Sequence, residues 1–338
     1  MIKDILKELC ALPGVSGNEG AVRAWIENRV RPHAAEVTVD AMGNLLVFVK
    51  GQRAPKEKIM LAAHMDEVGI IVTGITEEGY LKFDFAGGVD RRVVIGKRVN
   101  VGDKAIPGVI ALKAIHLQEE GERKKVPPTK SFHVDIGCRS RAEAEKLVSL
   151  GDTGAFDGHI AEFGSGFLRA KAIDDRVGCA VMLALIEEGV PVDCHFAFTV
   201  QEEVGCRGAT AAAFRIRPEI GLVLEGTTAA DLPSQQGSER VCAPGKGPVL
   251  PFMDGGSIYD RGLWRQLTAL AEERGIPWQT KTWISGGTDA SSIQKSGCGV
   301  RVAAISAAVR YIHSPSCVGN TEDFENMLRL ARAYLETL

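Results

Sequence analysis

Near-continuous apolar runs constrain the fold of this 338-residue chain more than any other feature of its sequence. They cover residues 59–63, 195–200, 220–225 and 300–305. Such runs are typical of central parallel strands, because helices cover both faces of the sheet that contains them. Segments with helical periodicity lie between the later runs. The sequence therefore predicts an α/β domain.

Helices are predicted at both ends of the chain and between the apolar runs. Their expected ranges are 2–10, 19–31, 175–188, 260–274, 289–296 and 321–337. A hairpin is expected over residues 36–51, where Gly43 and Asn44 provide the turn. These elements belong to the same predicted α/β domain as the apolar strands.

Between residues 70 and 137, a segment with a different hydrophobic pattern interrupts these strands and helices. Short β-rich runs are broken by Gly, Pro and charged turns roughly every 8–12 residues, which predicts a small all-β barrel or sandwich. Within it, residues 118–130 lack periodicity and are expected to form a solvated loop. A helix is expected over 141–149, where Ser140 and Glu143 fit a capping box.

The domain organisation follows from these two sequence patterns, the alternating strands and helices and the short β-rich runs. We expect residues 1–68 and 165–338 to form the α/β domain, and residues 69–164 to form an inserted, β-rich domain. The sequence shows no internal repeat and no low-complexity segment.

Composition limits the possible partners and compartments. The formal net charge of −3 favours neither nucleic acid nor an anionic membrane surface as a partner. The apolar stretch 177–186 is shorter than the roughly 18 residues of a membrane-spanning helix. The N-terminus has no apolar region typical of a signal peptide. The eight cysteines form no CxxC pair, which favours reduced thiols in a cytoplasmic protein.

Ligand-type side chains cluster at the ends of the predicted strands and before one helix. These candidates are His64, Asp66, Asp174, Asp175, Gln201, Glu202, Glu203, Glu225 and His313. Alone, each has an ordinary reading: a structural histidine, a helix cap or a solvated carboxylate. Together, carboxylates at one sheet edge would repel each other unless a cation lay among them. Imidazole nitrogens with carboxylate oxygens suit zinc, cobalt or manganese.

Charge and strand geometry suggest how such a site would be arranged. If Asp174, Glu203 and Glu225 are ligands, their three negative charges leave room for two divalent ions and a bound hydroxide. Residues i and i+2 of a strand face the same way, so Asp66 can orient the ring of His64. The adjacent Glu202 and Glu203 face opposite sides, so one can bind metal while the other acts as a base.

A set of motifs in fixed order then identifies a family. The motifs are HMDEVG (64–69), AIDDRVG (172–178), QEEVGCRGA (201–209), SGGTDAS (285–291) and YIHSP (311–315). In this order they resemble the dinuclear metallo-aminopeptidases of the tetrahedral and glutamyl aminopeptidase family, some of which carry the label endoglucanase. The resemblance implies a zinc-peptidase-like mixed sheet sandwiched by helices, with a small β domain that helps oligomerisation. It also implies short peptides as substrates, and homo-oligomers from dimers to tetrahedral dodecamers.

The resemblance also implies a role for each candidate residue. Its metal ligands map to His64, Asp174, Glu203, Glu225 and His313. His64 and Glu225 would bind one divalent ion, Glu203 and His313 the other, and Asp174 would bridge both. Asp66 would orient His64, and Glu202 would be the general base that activates a water molecule between the two ions. The Asp174–Asp175 peptide bond is expected to be cis.

Several questions stay open at this point. The loop residues Gly286, Gly287, Thr288 and Asp289 are expected to line the substrate, although Thr288 or Asp289 could instead cap the next helix. A metal-dependent deacylase or amidohydrolase on the same fold is an alternative to the aminopeptidase. A glycoside hydrolase would need two carboxylates and no metal, which leaves the histidines unexplained. A metal-stabilised scaffold without turnover is the non-enzymatic alternative.

Overall fold

The computed structural model describes residues 1–284 and 286–338, so Ser285 of the predicted SGGTDAS motif lies outside the described residues. The strands are β1 (Glu36–Val39), β2 (Leu45–Val49), β3 (Ile59–His64), β4 (Gly69–Ile75), β5 (Leu81–Ala86), β6 (Arg98–Val101), β7 (Ile106–Ala111), β8 (His133–Asp135), β9 (Thr153–Phe156), β10 (Ala161–Phe163), β11 (Phe167–Ala170), β12 (Cys194–Thr199), β13 (Ile220–Thr228), β14 (Arg301–Val309) and β15 (Cys317–Asn320). The helices are α1 (Ile2–Ala11), α2 (Gly20–Val30), α3 (Glu120–Arg123), α4 (Arg141–Ala144), α5 (Ile173–Glu188), α6 (Arg207–Ile216), α7 (Arg261–Glu273), α8 (Ala290–Ile293) and α9 (Thr321–Glu336).

The central sheet is mixed and has the strand order β1-β2-β12-β3-β13-β14. Strands β12, β3, β13 and β14 run parallel to one another, whereas β1 and β2 form the expected antiparallel hairpin at one edge. Every residue of β3 is buried. The predicted α/β class, with its apolar central strands, is confirmed.

Helices cover both faces of this sheet, which explains why its strands are apolar without alternation. Ile59 and Leu61 of β3 belong to the core that contains α1, α5 and α9. Met60 and Ala62 of the same strand pack with α6 and α8 on the opposite face. Successive side chains of a strand point to opposite faces, so both sets must be apolar.

The inserted strands form a closed barrel with the order β4-β5-β8-β7-β6-β9. Its interior is a separate apolar cluster that includes Ile70, Phe83, Val99 and Val134. The predicted barrel or sandwich is therefore a barrel. Strand β9, which was not predicted, closes it by pairing with both β4 and β6.

A third, small antiparallel sheet joins β10, β11 and β15. Its strands are only three or four residues long. Strands this short carry too little alternation to be predicted from the sequence.

Several predicted boundaries were wrong. The helix expected over 141–149 ends at Ala144, and the chain later turns at Gly151 to enter β9. The helix expected over 289–296 ends at Ile293, where turns lead into β14. Residues 118–130 are not a continuous loop, because they contain α3 and a 3₁₀ turn at Thr129–Ser131. Glu119 and Glu122 cap α3 through a capping box.

Strands β13 and β14 are longer than expected. They pair in parallel from Ile220 and Arg301 to Thr228 and Val309. Glu225 therefore lies inside a strand and not at its end. No helix among the described residues is both long and apolar enough to span a lipid bilayer.

Candidate metal centre

The last residue of β3, His64, faces two carboxylates across the carboxyl edge of the sheet. Its Nε2 lies 3.4 Å from Asp174 Oδ1 and 3.3 Å from Glu225 Oε1. The imidazole is 1% exposed. Three predicted ligands that are far apart in the sequence thus present nitrogen and oxygen atoms to one buried point.

A second group forms around His313. Its Nε2 lies 3.1 Å from Glu203 Oε2 and 3.5 Å from Asp174 Oδ2. Its Nδ1 lies 3.1 Å from the carbonyl oxygen of Gly88, in the segment after β5, which holds the ring from the other side. Asp174 therefore lies between the two histidines and offers a different oxygen to each.

The buried oxygens of this cluster test whether it suits cations. Asp174 Oδ1 and Glu225 Oε2 are buried and have no hydrogen-bond partner among residues 1–284 and 286–338. A buried carboxylate oxygen without a partner costs free energy, which a bound cation would offset. The residues present therefore fit divalent ions.

The pKa values around the centre reflect crowded carboxylates. Burial, and then the charge of Asp174, raise the pKa of Glu203 to about 8. Burial also raises the pKa of Glu225, and the charge of Asp175 adds to this. For His313, burial lowers the pKa, but Asp174 and Glu203 outweigh it and raise the pKa to about 9. The cluster thus holds more negative charge than its surroundings stabilise, which is the condition that a cation relieves.

Asp66 holds the loop that follows β12. Its carboxylate accepts hydrogen bonds from Ser16 Oγ at 2.6 Å and from the backbone N–H groups of Glu202 at 3.0 Å and Glu203 at 3.2 Å. Its Oδ1 lies 3.4 Å from His64 Nδ1. Burial raises the pKa of Asp66, but the hydrogen bonds and the charge of His64 outweigh it, so the pKa is lowered.

The carboxylate of Glu202 also lies near the imidazole of His64. Its Oε2 lies 3.9 Å from His64 Nε2, and Cys206 Sγ donates a hydrogen bond to its Oε1 at 3.3 Å. The side chain is 12% exposed. Burial raises the pKa of this carboxyl group. The sequence did not indicate the contact with Cys206.

The start of α5 separates the roles of two adjacent carboxylates. The Asp174–Asp175 peptide bond is cis, as expected, and both residues have non-helical backbone angles. Asp175 Oδ1 accepts a hydrogen bond from Gly178 N at 3.0 Å, and its Oδ2 accepts one from His64 N at 3.2 Å. Asp175 thus ties α5 to β3, while Asp174 faces the histidines.

Ligand atoms close enough to share an ion occur in more than one combination. Within 4.8 Å of one another lie atoms of His64, Asp174 and Glu203, of His64, Asp175 and Glu225, and of Glu202, Cys206 and Asp289. In the second group, both oxygens of Asp175 already accept backbone hydrogen bonds. Asp175 therefore has less capacity than Asp174 to share a cation with Glu225.

The GGTDA loop lies beside the centre. Gly286, Gly287 and Thr288 line a cavity of about 350 Å³ that also contains Asp174, Glu202, Glu203, Glu225 and His313. Thr288 Oγ1 accepts a hydrogen bond from Ala290 N at the start of α8. Asp289 is buried, makes no side-chain cap to α8, and accepts a hydrogen bond from Thr199 Oγ1 at 2.5 Å.

A buried ion-pair network behind the centre was not foreseen. Lys171 Nζ lies 2.5 Å from Glu67 Oε1, and Arg176 Nη2 lies 3.7 Å from the same oxygen. Glu67 also accepts a hydrogen bond from Gly14 N at 3.0 Å. Glu67 and Arg176 lie inside the HMDEVG and AIDDRVG motifs, and this position was the sequence signal that could have indicated the network. Lys171 directly precedes the second motif.

Several known proteins are similar to this chain over nearly its whole length. Residues 43–330 match the model of a family described as M42 glutamyl aminopeptidase. The chain is 38% identical to a putative aminopeptidase of Acetivibrio thermocellus over 97% of this chain and 96% of that protein. It is 33% identical to the lysyl aminopeptidase of Pyrococcus furiosus over 99% of this chain and 97% of that protein.

A solved structure shares the whole fold. It is the TET1 peptidase of Pyrococcus horikoshii, whose title states that it can assemble into a tetrahedron or a large octahedral shell. It is 33% identical in sequence and superposes with a TM-score of 0.87. The superposition covers 100% of this chain and 100% of that chain.

Proposed function

The chain belongs to the M42 glutamyl aminopeptidase family, and we propose that it removes the N-terminal residue of short peptides with two divalent metal ions and Glu202 as the general base. Membership makes it an aminopeptidase, a hydrolase of peptide bonds. The observation that carries the finer proposal is the position of Asp174, whose two oxygens face His64 and His313 separately.

The two metal positions follow from these distances. His64, Glu225 and Asp174 would hold one ion, and Glu203, His313 and Asp174 would hold the other. Mixed nitrogen and oxygen ligands favour zinc or cobalt, and manganese is also compatible. Asp66 acts on His64 through the contact with its Nδ1.

The chemistry divides between the ions and the side chains. Divalent ions, when bound, polarise a scissile carbonyl group and lower the pKa of a water molecule. Glu202 accepts the proton from that water and transfers it to the departing amine. A carboxyl group can hold the proton between the two steps. Carboxylates near the ions would attract the free α-amino group of the substrate, and this would direct cleavage to the N-terminus.

We propose that the chain forms a homo-oligomer, as its Pyrococcus horikoshii relative does. Residues 69–164 would form the inserted domain that mediates this, within a catalytic domain of residues 1–68 and 165–338. Exposed apolar side chains on the barrel connections support the proposal, with Ile115 at 70% and Leu117 at 63% exposure. The range of assemblies would extend from a dimer to a tetrahedral dodecamer.

A cytoplasmic location is proposed from the cysteines. Cys10, Cys179, Cys194, Cys242 and Cys317 are buried as free thiols. Burial raises the pKa of Cys10 and of Cys242 to about 12, so these groups stay protonated. Unpaired thiols are typical of proteins from reducing compartments.

The decisive experiment is an activity panel on chelated protein with zinc, cobalt or manganese added back. The substrates are aminoacyl anilides with acidic, basic and apolar side chains, each with an N-acetylated twin. We expect metal-dependent cleavage of the free substrates only. Cleavage of the acetylated twins would indicate a deacylase or endopeptidase. Activity on a polysaccharide that resists chelation would indicate a glycoside hydrolase, and no turnover despite two bound ions per chain would indicate a scaffold.

A further inference from the structure

Cys206 brings a thiol into contact with Glu202, and the proposed reaction makes no use of this thiol. Its Sγ lies 3.3 Å from Glu202 Oε1. The chain turns back between the two residues, because Cys206 N donates a hydrogen bond to the carbonyl oxygen of Glu202 at 2.8 Å. Cys206 also lines the cavity that contains the candidate centre, so an ion in that cavity can reach the sulfur.

Asp289 places a second carboxylate beside this pair. One ligand atom each of Glu202, Cys206 and Asp289 lie within 4.8 Å of one another. Asp289 is 1% exposed. Its Oδ2 accepts the hydrogen bond from Thr199, but its Oδ1 has no hydrogen-bond partner in the part of the chain that the structure describes. A buried carboxylate oxygen without a partner costs free energy, and a cation held between these three side chains would offset that cost.

One sulfur and two carboxylate groups form a ligand set for a thiophilic divalent ion. A thiolate favours zinc or cadmium, whereas magnesium and calcium favour oxygen ligands alone. A tetrahedral zinc ion with a zinc–sulfur bond of about 2.3 Å and a zinc–oxygen bond of about 2.1 Å separates those ligands by about 3.6 Å. The 3.3 Å between Cys206 Sγ and Glu202 Oε1 is near that separation. Ser291 Oγ donates a hydrogen bond to Cys206 Sγ at 3.8 Å, which would help to stabilise a thiolate.

We propose that Cys206, Glu202 and Asp289 form a third, inhibitory metal site that binds zinc or cadmium in addition to the two ions of the centre. The thiol releases its proton to solvent as the sulfur–metal bond forms, and water from the cavity completes the coordination. Once Glu202 is coordinated, it can no longer accept a proton from water. The binding of the third ion depends only on the three side chains, whereas the inhibition rests on the role proposed above for Glu202 as the base.

The binding test titrates cadmium into the full-length protein after its centre has been loaded with two manganese ions per chain. Cadmium bound to a thiolate absorbs in the ultraviolet, whereas cadmium bound only to nitrogen and oxygen ligands does not. We expect this absorption to reach its plateau at one thiolate-bound cadmium ion per chain in wild type. Elemental analysis after dialysis counts the manganese and cadmium that remain. A wild-type protein without the cadmium–thiolate absorption would overturn the site.

Three variants assign the absorption to one cysteine. Cys206→Ala should lose it and should bind one ion fewer than wild type. Cys206→Ser keeps a hydrogen-bond donor beside Glu202 but removes the sulfur, so it should also lose the absorption. Cys298→Ala removes an exposed cysteine that does not line the cavity and should behave like wild type. Absorption that persists in both folded Cys206 variants would overturn the site, and circular dichroism establishes that each variant folds.

The inhibition test measures turnover of an aminoacyl anilide in the same cadmium titration, with each variant compared to its own rate before cadmium is added. We expect wild-type turnover to fall as the absorption rises. In Cys206→Ala, the cadmium concentration that halves turnover should increase at least about 10-fold, because one ligand is missing. An unchanged concentration would assign the inhibition to displacement of ions at the centre, and this would overturn the inhibitory role.

The two readouts separate this inference from the function on which part of it rests. If no metal supports turnover of any anilide, the aminopeptidase proposal fails, while the cadmium–thiolate absorption still decides whether the third site exists. If cadmium binds to Cys206 and turnover is unaffected, the third site stands and the inhibitory role fails.

Discussion

The carboxylate of Asp66 accepts a hydrogen bond from the backbone N–H of Glu202 at 3.0 Å. The same carboxylate lies beside the ring of His64. One buried side chain therefore lies against a proposed metal ligand and also accepts a hydrogen bond from the loop that carries the proposed base. Asp66 and His64 are both buried, so water cannot easily replace the contact between them.

Replacing Asp66 by Asn should weaken metal binding. The amide keeps the size of the side chain but loses the negative charge next to His64 Nδ1. Loss of such a supporting contact costs about 10- to 100-fold in metal affinity. Chelator competition would measure the change. Ser16→Ala removes only the hydroxyl donor to Asp66 and should cost less. Equal affinity in the Asp66 variant and wild type would refute the orienting role.

Glu202→Gln should separate turnover from metal content. The amide cannot accept the proton from water, so kcat should fall by roughly 10² to 10⁴. The ligands His64 and Glu225 are untouched, so bound metal per chain should stay the same. Turnover is measured on anilides and metal by elemental analysis. Near-normal turnover in this variant would show that Glu202 is not the base.

Glu67→Gln should destabilise the fold even though it changes no proposed ligand. Glu67 is the carboxylate partner of Lys171 and lies near Arg176, and all three side chains are at most 7% exposed. Removing one partner of a buried ion pair costs about 3–5 kcal/mol, because the other charges remain buried without compensation.

Urea unfolding of Glu67→Gln against Glu162→Gln measures this cost. Glu162 pairs with two lysines on the surface, so its variant should be close to wild type. A Glu67 variant as stable as the Glu162 variant would mean that the buried network contributes little.

The pair of Asp231 and Arg310 should make part of the stability pH-dependent. Hydrogen bonding and charge from Arg310 lower the pKa of Asp231. A carboxyl group with a lowered folded-state pKa stabilises the protein above its unfolded pKa of about 4, and this contribution is lost as the pH falls through the folded value. The Arg310 side chain is 26% exposed, so solvent screens the pair.

Asp231→Asn should therefore be less stable than wild type at pH 7, by at most about 1 kcal/mol. The difference should narrow as the pH is lowered below about 4. Urea midpoints across this range would measure it. A difference that stays constant with pH would assign the effect to packing and not to the charge of Asp231.

Much of the fold could be predicted because its signals are local. The runs at 59–63, 195–200, 220–225 and 300–305 are apolar on both faces, and this alone indicates buried central strands. The periodicity of the last helix placed α9 within a residue of its observed range. Motif order identified the family and the candidate ligands.

Other features depend on contacts between distant segments. Strand β9 is short, and only its pairing with β4 and β6 makes it the closing strand of the barrel. Glu225 was expected at a strand end, but pairing with β14 extends β13 past it. Hydrogen bonding between strands sets where a strand ends, and a single segment does not contain that information.

The sequence by itself determined which residue types were available for chemistry and roughly which segments carry them. Only the tertiary structure decided that Asp175 ties α5 to β3. It alone also brought Glu67, Lys171 and Arg176 into one buried ion-pair network. Local periodicity depends on neighbours in the chain, whereas a site depends on distances that packing of the whole chain establishes.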